Sequence, residues 1–66
     1  MRQELSPAER AVLELAAKGL TKQEIAEARG VSYRTIRRQV EMARWKLGAH
    51  NTTHAVALML RDQVAV

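Results

Sequence analysis

Val31-Ser32-Tyr33-Arg34-Thr35-Ile36-Arg37-Arg38-Gln39-Val40-Glu41-Met42-Ala43-Arg44-Trp45-Lys46-Leu47-Gly48 is the stretch on which the fold turns. At about 100° per residue, Ile36, Val40, Ala43 and Leu47 share one side of a helix, while Arg34, Arg37, Arg38, Glu41 and Arg44 share the other. The first side requires a core and the second an anion. Ser32 stands where an N-cap belongs, its hydroxyl able to accept from the unpaired N–H groups of the first turn, and Gly48 stands where a left-handed C-cap belongs. Both ends of this helix are therefore written in the chain.

Outside this helix the charges cancel. Residues 1–20 set Arg2, Arg10 and Lys18 against Glu4, Glu9 and Glu14, residues 21–32 set Lys22 and Arg29 against Glu24 and Glu27, and residues 47–66 set Arg61 against Asp62. Residues 33–46 hold Arg34, Arg37, Arg38, Arg44 and Lys46 against Glu41, so the whole formal net charge of +4 lies in the one helix. A basic run is ordinarily a solvated face. Here the guanidinium groups form one stripe opposite a core stripe in a chain otherwise balanced, an arrangement suited to a polyanion.

The totals bound the rest. With 66 residues the chain is expected to be a single domain, its core spanning about 5–62, close to the lower limit at which apolar burial alone sustains a fold. The chain has no cysteine, which removes disulfides and thiolate metal sites. No apolar run approaches the roughly 18–20 residues of a membrane span, and the opening residues show no signal-peptide pattern. A composition 47% apolar, with one proline and three glycines, predicts an all-α fold.

Taken in order, Met1 to Glu4 reads as a short frayed start. Ser6-Pro7-Ala8-Glu9 is a capping box with proline at the first helical position, predicting a helix from about Pro7 to Lys18. Val12, Leu13, Ala16 and Ala17 mark its inward side, with Leu5 before and Leu20 after, and Gly19 ends it. Thr21-Lys22-Gln23-Glu24 is a second capping box, starting a helix to about Arg29 whose inward residues are Ile25, Ala26 and Ala28. Gly30-Val31-Ser32 then leaves room only for a tight turn. Two short helices so joined, the second longer and basic, form a helix-turn-helix over about 21–47. Ala26 is small because the helices cross closely there, and Val31 and Ile36 are expected to plug the space between them. After a polar connection with candidate caps at Asn51 and Thr52, Ala55 to Leu60 is apolar throughout, so one face of a fourth helix packs on the first and third. The surplus face predicts self-association.

Leu5-Ser6-Pro7-Ala8-Glu9-Arg10-Ala11-Val12-Leu13, Gly19-Leu20-Thr21-Lys22-Gln23-Glu24-Ile25-Ala26, Val31-Ser32, Thr35-Ile36-Arg37 and Lys46-Leu47-Gly48 together resemble the LuxR-type (GerE-like) DNA-binding domain of bacterial transcription regulators. The likeness runs from about Leu5 to Leu60 without gaps. It implies a four-helix domain whose third helix enters the major groove and whose fourth makes a homodimer contact. It also implies a bacterial, cytoplasmic, nucleoid-associated protein whose partners are double-stranded DNA and a second copy, with RNA polymerase as a further candidate. This sequence departs from the family's usual pattern at Arg29, where an apolar residue is common, at Gln39 (histidine), at Ala43 (a bulkier aliphatic) and at Thr52 (arginine). Family members usually carry an amino-terminal receiver or ligand-binding domain, whereas this sequence resembles the stand-alone members or an excised fragment.

In such a binding mode Arg34, Arg37, Arg38 and Glu41 would face base edges, Arg37 and Arg38 foremost, since arginine pairs bidentately with guanine and glutamate accepts from cytosine N4. Thr21, Lys22, Tyr33, Thr35, Arg44 and Lys46 are expected at phosphates. Val56, Met59, Leu60 and Trp45 are expected at the dimer contact, Trp45 having the DNA backbone as its other possible neighbour. His50 and His54 have the spacing of a helical metal pair but no third ligand, so no metal and no cofactor are expected. No base, orienting carboxylate and nucleophile can be assembled, and the glycine-rich phosphate motifs are absent, so no enzyme is expected. Two alternatives stand beside this reading: a sigma-factor region-4-like domain contacting promoter DNA and RNA polymerase, and a protein-interaction module that has lost DNA binding. The apolar fourth helix counts against the first and the intact basic stripe against the second.

Overall fold

Each helix begins at a side chain able to satisfy its free amides. Ser6 Oγ accepts from Glu9 N at 3.1 Å and Glu9 Oε1 accepts from Ser6 N at 2.9 Å, opening α1 (Pro7–Ala17). Thr21 and Glu24 repeat this reciprocal pair at 3.2 and 2.8 Å to open α2 (Lys22–Arg29). Ser32 Oγ accepts from Thr35 N at 3.1 Å at the head of α3 (Tyr33–Leu47). Asn51, not Thr52, caps α4 (Thr52–Val64), its Oδ1 accepting from His54 N at 2.8 Å. The computed structural model describes residues 4–64, and these four helices are its only regular elements. Of the frayed start expected over Met1 to Glu4, only Glu4 lies within the described residues.

The first three helices end in one way. Leu20 N donates to Leu15 O at 3.3 Å, Val31 N to Ala26 O at 3.1 Å, and Ala49 N to Arg44 O at 2.9 Å, each reaching back over a glycine of positive φ. Gly30 and Gly48, at φ of 69° and 68°, hold the left-handed conformation that closes such an end without a Cβ penalty. These closures keep the connections short, so the helices must pack on one another at once.

They do so around two clusters. Val12, Ile25, Ala26, Ile36 and Val40 join α1, α2 and α3, with Leu15, Ala16 and Leu20 packed against them. Leu13, Ala43, Leu47, Ala49, Ala55 and Met59 join α1, α3 and α4, with Leu5, Val56 and Leu58 alongside. Adjacent residues of α1, Val12 and Leu13, thus serve different clusters, and α3 divides in the same way between its first and second halves. Ala26 and Ala43 are only 3% and 0% exposed, and their small side chains admit the neighbouring helices to close range.

The structure corrects four expectations about this core. Met59 is not a surface residue: it is 1% exposed, at the centre of the second cluster, because α4 turns that side toward Leu13 and Leu47. Val31 is 39% exposed rather than a plug, since the turn carries it outward and Ile36 alone fills the space. Ala17 and Ala28 are exposed, while Leu15, unremarked in the sequence, is half-buried.

Candidate nucleic-acid interface

Because Ile36, Val40, Ala43 and Leu47 are all buried, the opposite side of α3 must face solvent. Arg34, Arg37, Arg38 and Glu41 are exposed there. None of the three arginines forms an ion pair among the described residues. Three cations thus share the exposed side of one helix with the single carboxylate of Glu41, which feels the charge of Arg37, and the α3 N-terminus adds its own partial positive charge.

Glu41 and Arg44 behave differently. Glu41 Oε1 accepts from Arg44 Nη2 at 2.9 Å and Oε2 accepts from Nε at 3.4 Å. Arg44 Nη1 reaches the other way, donating to Ala49 O at 3.1 Å. The hydrogen bonds and charge of Arg44 hold the Glu41 carboxyl below its ordinary range, with Arg37 and Lys22 adding to the effect. The Glu41 hydrogen bond and charge likewise raise the pKa of Arg44.

Lys46, expected at a phosphate, is paired within the domain. Its Nζ donates to Glu9 Oε1 at 2.9 Å, and the two side chains are 17% and 10% exposed. Burial alone would raise the Glu9 pKa, but the bonds from Lys46 and from Ser6 N outweigh it, so the carboxyl lies below its ordinary value. This pair ties the first turn of α1 to the last turn of α3. Sequence reading missed it because the capping box already gave Glu9 a role. The available signal was angular: Lys46 lies off the arginine stripe, nearer the flank of the core.

The remaining residues are placed as follows. Thr21 Oγ1 is occupied as an acceptor by Glu24 N, and Thr35 Oγ1 lies 3.0 Å from Ser32 Oγ. Lys22 is half-buried at the head of α2, and Tyr33 is 47% exposed at the head of α3. Trp45 is 63% exposed and forms a shallow hollow with Glu41, Met42 and Arg44. On α4, Val56 is half-buried against the second cluster and Leu60 is 42% exposed. His50 N donates to His54 Nδ1 at 3.0 Å beneath stacked rings, so this pair shapes the turn into α4. Among the described residues no group of three or more histidines or carboxylates could hold a metal ion.

The family model for bacterial regulatory proteins of the luxR family matches residues 3–59, across all three connections and most of α4. The chain belongs to the luxR family. A relative of this LuxR-family domain, the transcriptional activator protein BjaR1 of Bradyrhizobium diazoefficiens, is 42% identical over 60 residues, covering 91% of this chain and 25% of that protein. The chain spans about a quarter of the length of this curated relative. The family is one of DNA-binding transcription regulators, and the exposed arginine face of this chain lies on α3. No described helix of the LuxR-family domain is long and apolar enough to cross a membrane.

Proposed function

We propose that this domain reads duplex DNA for a transcription regulator, with α3 in the major groove and α4 pairing two copies. The observation that carries the reading is the division of α3, with one side only 0–7% exposed and the other bearing three arginines that form no ion pair among the described residues. A helix fixed so firmly on its inner side can hold its outer side against base edges without rearrangement. Arg37 and Arg38 are the principal readers, through guanine O6 and N7, with Arg34 beside them and Glu41 accepting from cytosine N4. Thr21, Lys22, Tyr33 and Thr35 fix the register on phosphates. Trp45 lies opposite the core stripe, on the same side as the readers, which favours the DNA backbone over the α4 contact as its neighbour. Leu60, with Val56 at its edge, supplies the contact between copies. Two copies imply half-sites about 10 base pairs apart, or a multiple of that spacing.

The test is selection of bound duplexes from a random pool, with wild type and Arg38→Ala in parallel at one fixed salt concentration. A pseudo-palindromic motif is expected from wild type. The variant should lose about 1–3 kcal/mol on that motif and relax one position in each half-site. Salt-sensitive binding with no motif would overturn sequence-specific reading.

A further inference from the structure

We infer that Arg44 is a positioning residue for base recognition: it holds Glu41 as a fixed, ionised acceptor and thereby restricts one base of each half-site to cytosine or adenine. The inference rests on the DNA-reading proposal above and deepens it.

The contacts of Arg44 carry the argument. Its guanidinium meets both Glu41 oxygens, at 2.9 and 3.4 Å, and the Ala49 carbonyl at 3.1 Å, so Nε, Nη1 and Nη2 are all engaged within the protein. Ala49 is itself 5% exposed and donates its N–H to Arg44 O at 2.9 Å. Main chain and side chain of Arg44 are therefore both bonded to Ala49, the buried residue of the turn between α3 and α4. The Glu41 side chain, by contrast, is 59% exposed, with Arg44 at 33%. A carboxylate offers about four lone-pair positions, and Arg44 occupies one on each oxygen. The remainder are left to an exposed side chain on the stripe that carries Arg34, Arg37 and Arg38.

An ionised carboxylate facing DNA is repelled by phosphates unless a base supplies a donor. In the major groove the donors are the amino groups of cytosine N4 and adenine N6, whereas guanine and thymine present acceptors. A freely rotating glutamate would swing away from an acceptor and tolerate every base. One clamped by Arg44 cannot, so the clamp produces rejection as well as recognition.

Selections with wild type, Glu41→Gln, Arg44→Ala and Arg44→Lys, at matched salt, test this. Wild type should restrict one half-site position to cytosine or adenine by about tenfold or more over guanine and thymine. Arg44→Ala should reduce that restriction to about threefold or less while leaving the Arg37 and Arg38 positions unchanged. Arg44→Lys should resemble Arg44→Ala, since a point charge cannot make the two-pronged contact. Glu41→Gln should admit guanine and thymine at the same position, because an amide also donates. The salt slope of Arg44→Ala should match wild type; a slope smaller by about one unit, with all base preferences retained, would make Arg44 a phosphate contact and overturn the inference. In the free protein, carbon-detected titration should show the Glu41 carboxyl moving up toward its ordinary value in Arg44→Lys, and no movement would overturn the clamp. Failure of wild type to select any motif would instead remove the underlying DNA-reading proposal, and this inference with it.

Discussion

Arg37, Arg38 and Lys46 carry the same charge on one helix, and what separates them is what stands beside each. The arginines face solvent and form no ion pair among the described residues, whereas Lys46 is bound to Glu9 across the core. Lys46→Ala should therefore act on stability before it acts on DNA affinity, as measured by denaturant unfolding beside salt-dependent binding. Gln39 gives a second case. Its Oε1 is buried and has no hydrogen-bond partner among the described residues. An unpaired buried acceptor costs about 1–3 kcal/mol, part of which an apolar side chain of similar size recovers. Gln39→Leu is accordingly expected to raise stability by about 1 kcal/mol in urea unfolding, and a loss of that size would mean that the amide is satisfied by water. Gln39 departs from the family's usual histidine, as Arg29 departs from its usual apolar residue. Arg29 is exposed, so that departure costs no core contact.

At the scale of elements, α1 and α3 are joined at both chemistry and packing, and the Glu9–Lys46 pair is where pH enters. The folded pKa of Glu9 lies below its ordinary value of 4.5. Its contribution to stability is thus complete above about pH 4.5, is lost as pH falls through the interval down to the folded value, and is absent below both. Glu9→Gln keeps a side chain able to complete the capping box while removing the charge, and should cost about 1–3 kcal/mol at pH 7. Thermal unfolding followed from pH 7 to pH 3 should show the variant converging on wild type as the acid limit is reached; parallel curves would assign the loss to packing instead. The helices themselves were legible from the chain because local rules decide them. Capping boxes at Ser6 and Thr21, Ser32 before α3, and the glycines at 30 and 48 act over three or four residues, and the structure uses every one. The four inward residues of α3 were equally legible, since period alone selects them. The ion pair between residues 9 and 46 was not, because no local rule reaches across 37 positions. The Glu41–Arg44 pair lies three residues apart on one helix, within reach of a local rule, but the bond from Arg44 to the Ala49 carbonyl depends on how the turn after α3 folds back and was not legible.

For the molecule as a whole, the neighbours Met59 and Leu60 should part company. Met59 is 1% exposed and Leu60 is 42% exposed. Met59→Ala opens a cavity in the second cluster and should cost about 2–5 kcal/mol. Leu60→Glu should leave the fold within about 0.5 kcal/mol of wild type while weakening association, read by sedimentation with and without a two-half-site duplex. Unchanged sedimentation in both conditions would place the contact between copies elsewhere. The apolar run of α4 suggested surplus on every side; the structure shows that Ala55 and Met59 are consumed internally, which sequence could not divide without the angle at which α4 meets α1 and α3. That division has a further consequence. The α2 side of the domain rests on Val12, Ile25, Ile36 and Val40, and the α4 side on Leu13, Leu47, Ala55 and Met59, with α1 and α3 as the partition between them. Substitutions accumulating on one side of that partition leave the other seated. On the roles proposed for α3 and α4, a lineage could therefore exchange its choice of companion without rewriting the sites it reads, and duplicated copies could diverge in either property alone.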